Sequence, residues 1–326
     1  MTFLRDDPGF PDLLRTAAAD LQVPAALAEK DYWLTQVLRV LAQHHYGQFI
    51  LKGGTSLSKG YRLLERFSED VDILLLPHQS DRQPAAVEGL LAKVDGTLAS
   101  ALPVEVVPAT AEEGVARTLH VRYPATQQLG VSGLDPFIRI DYGVGGGSIP
   151  QDEVAITPLI GDQLTAAGHD PETFEDLAAL HLAVLHPART LIEKLCIVHG
   201  LADRISSGNP HVRSREARHY YDIWYLLDTK RSPALDWIER QGDIGPLIAD
   251  CVRITRDHYG SEPPIPTDGI AGGVAFSDPE VLDRVEGAYN KMLKTLAFPG
   301  RTHPTLNDVR DRIHEHAARL SEASSP

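Results

Sequence analysis

The chain has 326 residues, 43% hydrophobic and 23% charged, the balance of an ordinary globular protein with room for one large core or two smaller ones. Its start, MTFLRDDPGFPDLL, has no basic segment leading into an apolar one, and no run approaches the roughly 18 apolar residues of a membrane span, so a cytoplasmic protein is expected. The net charge of −14 opposes general binding to nucleic acid, and Cys196 and Cys251, lacking metal-ligand spacing, read as buried free thiols.

Residues 9–45 read as two helices, the second with Leu34, Val37, Leu38 and Leu41 at core spacing and Pro24 near its start. Phe49, Ile50 and Leu51 favour a strand that stops at Gly53-Gly54, where bare backbone can turn sharply and approach an anion. Leu57, Tyr61 and Leu64 then recur at helical spacing, which sets Thr55 or Ser56 at a helix N-terminus whose N–H groups, hydroxyls and dipole favour phosphate. In the strand from Asp70 to Leu76, the period of two puts Asp70 and Asp72 on one face and Val71 and Ile73 on the other. An isolated Asp-x-Asp is usually a solvated strand end. Beside a Gly-Gly helix start the pair reads instead as a cation site, and oxygen-only ligands suit Mg²⁺ or Mn²⁺. Ser68 joins that face if the strand starts early; otherwise it serves a turn.

A helix over about 83–100 follows, then strands near 103–107, 118–123, 137–142 and 154–157, so the sheet is expected to be complete by about residue 160. Arg139 and Asp141 share a strand face, making Asp141 either a third carboxylate of the metal site or half of a salt-bridged edge strand. The run Gly143 to Gly147 reads as a hinge or bulge, since no helical pattern follows it. Helices are expected over 187–199, 213–227, parts of 235–254, 279–296 and 306–320, with fraying over 321–326. On the first, Leu191, Leu195 and Val198 form an apolar stripe that leaves Thr190 and Lys194 on another face. On the second, Arg215, Arg218, His219 and Asp222 form a polar stripe opposite Tyr220, Ile223, Trp224 and Leu227, so Asp222 can pair with Arg218 on the helix surface. The locally basic stretch with Arg213, Arg215 and Arg218 is either a solvated face or a place that steers an anionic substrate. No histidine spacing suggests zinc, and no Gly-x-Ser-x-Gly elbow suggests a nucleophilic serine.

Five segments carry a resemblance: Glu29-Lys30-Asp31-Tyr32, Gly53-Gly54-Thr55-Ser56, Arg66-Phe67-Ser68-Glu69-Asp70-Val71-Asp72, Arg189-Thr190-Leu191-Ile192-Glu193-Lys194-Leu195 and Arg218-His219-Tyr220-Tyr221-Asp222-Ile223. In this order, over roughly residues 25–230, the chain resembles the AbiEii/AbiGii family of nucleotidyltransferase toxins, to which bacterial MenT toxins belong. The resemblance implies an α+β protein: a polymerase-β-type nucleotidyltransferase α/β domain over residues 1–160 with N-terminal helices, followed by a mainly helical domain over 161–326 that completes the cleft.

On this reading Asp70 and Asp72 hold Mg²⁺ or Mn²⁺, and Asp141 is a further metal ligand or accepts the proton of the attacking hydroxyl. Gly53, Gly54, Thr55 and Ser56 hold the β and γ phosphates of a nucleoside triphosphate. The family motifs make Lys194 an essential residue, with the role of balancing charge on leaving pyrophosphate, and place Asp222 in the catalytic site, where it positions Lys194 or the nucleotide. Transfer of a nucleoside monophosphate to the tRNA 3′ end, blocking translation, is what the likeness to MenT toxins implies. Arg213, Arg215 and Arg218 are then the candidate RNA contacts, and Ser68, Thr55 or Ser56 a candidate site of regulatory phosphorylation. A cognate antitoxin, AbiEi-like or MenA-like, is the expected protein partner; neither DNA nor membrane is. Two alternatives are a transferase acting on a protein hydroxyl, and an NTP-binding module of phage defence that does not turn over.

Overall fold

A computed structural model describes residues 2–78, 83–127, 135–168, 170, 173–260 and 262–320, so the fraying expected over 321–326 lies outside the described residues. Helices α1 (Phe10–Leu21) and α2 (Ala25–His45) form where the apolar spacing puts them. α2 is buried almost all round, including Glu29, Lys30 and Asp31, because each of these has a partner. Glu29 accepts the N–H groups of Thr126 and Gln127 at 2.7 and 2.9 Å, Lys30 meets Glu69 at 3.3 Å, and Asp31 takes Lys59 at 2.6 Å and Leu159 N–H at 2.8 Å. Tyr32 donates to Asp176. The Glu29–Tyr32 motif thus ties α2 to the loops on either side of the following strands.

β1 (Phe49–Lys52) runs into a single short helix made of α3 (Gly53–Thr55) and a wider π turn over Ser56–Gly60. The longer helix expected through Leu64 does not form. Leu57 and Leu64 are both buried, but Leu64 is beyond the helix, in the irregular stretch before β2 (Asp70–Leu75). Burial alone produced the helical spacing there. α4 (Pro84–Ala101), β3 (Glu105–Glu112), β4 (Ala116–Arg122), β5 (Ile138–Gly143), β6 (Gln151–Ile156), α5 (Leu159–Ala166) and β7 (Leu180–Leu185) complete this half.

The seven strands lie in the order β3-β4-β5-β2-β1-β7-β6. β2 and β5 are parallel, as are β1 and β7, and the other neighbours are antiparallel. Two expectations are corrected here. The sheet does not end by residue 160, because β7 enters it between β1 and β6; its apolar run, flanked by His181 and His186, is too short to separate strand from helix by periodicity. β5 is flanked on both sides, so Asp141 is on an inner strand and not on an edge.

One sheet face, with Val71, Ile73, Leu75, Ile138 and Ile140, shares a core with α1, α2 and α4. The alternate residues face the other way, where Ile50, Leu74 and Leu185 form a small apolar cluster with Leu76 and Ala183 against it. A second core joins α6 (Pro187–Ser206), α7 (Ser214–Leu226), α8 (Ala234–Gln241), α9 (Gly245–Tyr259), α10 (Val274–Ser277), α11 (Pro279–Leu296) and α12 (Leu306–Glu315). The region after residue 230 braces α7 from outside, and the end of α11 grips the approach to β2: Phe67 N–H donates to Leu296 O at 2.9 Å and Phe298 N–H to Glu65 O at 3.0 Å. Cys196 and Cys251 are buried free thiols, and burial pushes the Cys196 thiol up to about 12. Among the described residues no helix is long and apolar enough to cross a membrane.

Candidate active site

Strand register builds the site. Lys52 lies opposite Asp72, Asp72 opposite Asp141, and Asp141 opposite Thr118, so a single polar row crosses β1, β2, β5 and β4 on the face away from the α2 core. The next row sets Asp70 opposite Arg139. These side chains share a face because paired residues in a sheet point the same way. Lys52, Asp72, Thr118 and Asp141 open on a cavity of about 450 Å³ that Gly143, Gly145 and His258 of α9 help to line.

The carboxylates differ in their partners. Asp141 accepts Arg139 at 2.8 and 3.1 Å and the Thr118 hydroxyl at 2.5 Å, so the salt bridge foreseen within β5 is present. Asp70 meets Arg218, reaching across from α7, at 3.2 Å. Asp72 is half-buried, and its carboxylate has no hydrogen-bond partner among the described residues. Burial pushes its pKa up, Lys52 and Arg218 work against that, and the charges of Asp70 and Asp141 push it further up.

The Gly-Gly turn is fitted to Asp72. Gly53 has φ +71°, a conformation that L side chains rarely adopt, and a Cβ there would overlap the Asp72 carboxylate. Thr55 and Ser56 are fully buried with their hydroxyls turned inward: Thr55 donates to Ser68 and to the Asp70 carbonyl, and Ser56 to the Gly53 carbonyl at 2.8 Å. The groups left to an anion at this turn are therefore backbone N–H groups. Ser68 is 5% exposed, precedes β2 and accepts the Thr55 hydroxyl at 3.0 Å, which closes it to a modifying enzyme in this conformation.

A second cluster joins the halves. Asp222 does not pair with Arg218. It receives Arg66 at 2.7 and 2.8 Å and Lys194 at 2.8 Å, all three buried. Burial would raise the Asp222 pKa, but the charges of Arg66 and Lys194 hold it well below the usual carboxylate range. Lys194 is lowered by burial, which Asp222 opposes and the Arg66 charge reinforces. Its amine also lies 3.3 Å from Nδ1 of His219, which burial and the charges of Lys194 and Arg218 keep neutral. Asp222 and Tyr221 are fully buried, whereas Trp224 is half-buried under the Arg312 guanidinium.

The basic stretch is divided. Arg218 faces Asp70, Arg213 is held by Glu216 at 3.2 Å, and Arg215 is exposed. Sequence reasoning missed Lys52, Arg66, Arg139 and Thr118 as site residues. Lys52 was accessible, as the charged end of the apolar run Phe49–Leu51; the role of Arg66 depends on a partner 156 residues away.

The carboxylate row, the glycine turn seated on it and the lysine between two helices fit transfer of a phosphate-linked group, and the sequence comparison gives the class. Residues 37–312 match the family described as "Nucleotidyl transferase AbiEii toxin, Type IV TA system". The chain belongs to this family of nucleotidyltransferase toxins. Among solved structures, MenT4, a nucleotidyltransferase toxin from Mycobacterium tuberculosis, is similar over 94% of this chain and 96% of its own, at 17% identity and a TM-score of 0.42. No curated protein matches the chain.

Proposed function

We propose that the protein transfers a nucleoside monophosphate from a nucleoside triphosphate to the 3′ end of tRNA, with Mg²⁺ or Mn²⁺, and so blocks translation until a cognate antitoxin neutralises it. The observation that carries this reading is the row Asp141–Asp72–Lys52 with Asp70 beside it, on a sheet face open to a cavity.

Asp70, Asp72 and Asp141 offer only oxygen donors, the chemistry a hard divalent ion takes, and Asp72 is a half-buried anion in need of a counter-charge. Among the described residues no three ligating side chains are already gathered to hold a metal ion, and Arg218 and Arg139 occupy Asp70 and Asp141. When bound, the metal neutralises the triphosphate and activates the attacking oxygen. Lys52 and Arg218 carry the positive charge that the phosphates meet, and the N–H groups at Gly53 and Gly54 orient them. Asp141 accepts the proton of the incoming hydroxyl, with Thr118 and Arg139 fixing its direction. Lys194, positioned by Asp222 and His219, balances charge on departing pyrophosphate.

The test is incubation of the protein with Mg²⁺, each α-³²P-labelled NTP in turn, and total tRNA, with Asp70→Ala/Asp72→Ala as control. Label on tRNA with the wild type alone is expected. NTP binding without label on tRNA would defeat the RNA acceptor.

One observation favours a protein hydroxyl as acceptor instead. With Arg213 and Arg218 tied to carboxylates, the exposed positive charge expected along this stretch falls to Arg215, little for an RNA track on a chain of net charge −14. Label on a polypeptide in a cell lysate, and none on RNA, would establish that reading.

A further inference from the structure

A second cavity, of about 480 Å³, borders the one above the carboxylates, and Lys52 and Gly145 line both. The second cavity lies between α6 and α9. Its walls are Ile197 and Gly200 on one side and Ile254, Pro263 and Pro264 on the other. Ile197 is 45% exposed, one of four large hydrophobic side chains left open among the described residues, and it opens here. A mainly apolar slot that shares Lys52 with the carboxylate row has one economical occupant.

We propose that this slot takes the nucleobase of the triphosphate, with the ribose passing Gly145 and the phosphates running back along Lys52 to Asp72. The assignment rests on the nucleotidyl-transfer reading and adds to it the location of the base. A base offers two flat π faces, which apolar side chains cover at little desolvation cost. Gly145, at the boundary of the two cavities, carries no side chain into it. On the slot wall, Gly200 leaves room as well: a Cβ there would find its nearest neighbour, Pro264 Cδ, 4.0 Å away. The position is open by space and not by strain. Most of the lining is apolar, and Lys52, Arg189, Glu193, Thr255 and Glu262 are the polar groups that share it.

Two substitutions in the intact chain separate the base from the phosphates. Ile197→Glu charges an exposed wall position, and Gly200→Leu fills the slot from a helix that gains propensity by the change. Isothermal titration calorimetry with Mg²⁺ and each NTP, then with inorganic tripolyphosphate, reads the two parts of the ligand separately. Melting curves check that both variants fold.

Each variant is expected to weaken the best-bound NTP about tenfold or more, the scale of losing a stacked base, while tripolyphosphate binds as it does to wild type. Unchanged NTP affinity in both folded variants, with the wild type binding NTP, would overturn the base site and leave the transfer reading intact. Equal loss of NTP and tripolyphosphate would also overturn it, since the slot would then serve the phosphates. A wild type that binds neither NTP nor tripolyphosphate would remove the transfer reading itself, and the base site with it.

Discussion

Asp222 on α7 and Arg66, just before β2, form a two-pronged ion pair at 2.7 and 2.8 Å with no exposure of either side chain. Lys194 shares the same carboxylate, so two cations depend on a single buried anion. Removing the anion leaves both charges without compensation. Asp222→Ala is therefore expected to cost about 3–5 kcal/mol, well beyond a surface pair. Urea unfolding measures it, and a loss under about 1 kcal/mol would mean that water reaches the cluster.

The same carboxylate sets an acid dependence. Its folded pKa is depressed from the ordinary 3.8, so its contribution is complete above that value and disappears as pH falls through the lower folded value. The stability gap between wild type and Asp222→Asn should stay level across neutral pH and narrow only below 3.8. A gap that closes between pH 5 and 7 would point to a different titrating group.

Gly53→Ala combines a disfavoured φ of +71° with overlap on the Asp72 carboxylate. Nucleotide transfer should fall by about a hundredfold or more, as misplacement at a reacting centre does, with a stability loss of about 1–3 kcal/mol. Gly96→Ala on α4, where a Cβ meets nothing within 4 Å, is the control for a harmless glycine change.

Asp72→Asn should separate stability from activity. The half-buried carboxylate sits near Asp70 and Asp141, and its raised pKa means that the ionised form destabilises the fold above pH 3.8. Neutralising it should raise the metal-free melting temperature by about 1–3 °C while abolishing transfer. A lower melting temperature would assign Asp72 a structural role.

Arg218→Gln tests the hold on Asp70. With that 3.2 Å contact removed, Mn²⁺ should bind the nucleotide-free protein more tightly, about threefold or more for a lost competing charge, while NTP binds more weakly. Weaker Mn²⁺ binding would show that Arg218 organises the carboxylates and does not compete for them.

The local part of the site was readable in the sequence. A period of two put Asp70 and Asp72 on one strand face, and a Gly-Gly step after an apolar run marked the turn that the structure seats on Asp72. What was not readable depends on strand order and distant partners. Nothing in residues 180–185 says that they join β1, and the surface pairing of Asp222 with Arg218 fails because a residue four positions away is visible in sequence while Arg66, 156 positions away, is not; the contact of Asp222 with Lys194 that the resemblance implied is present. Thr55 and Ser56 have the chemistry of a phosphate cradle, but their hydroxyls are turned into the protein, onto Ser68, the Asp70 carbonyl and the Gly53 carbonyl.

The insertion of β7 decides how the molecule can be divided. This strand lies against β1, which ends at Lys52, and one residue after it α6 begins, carrying Lys194. Cutting the chain at residue 160 would strip β6 of the neighbour it pairs with and bare the flank of β1. Each product would lose a strand pairing that the intact sheet makes, so neither half is expected to hold its part of the site alone. The sheet acts as a common ruler for both: one strand pairing sets the end of β1, with Lys52, against the strand that leads into the helix of Lys194.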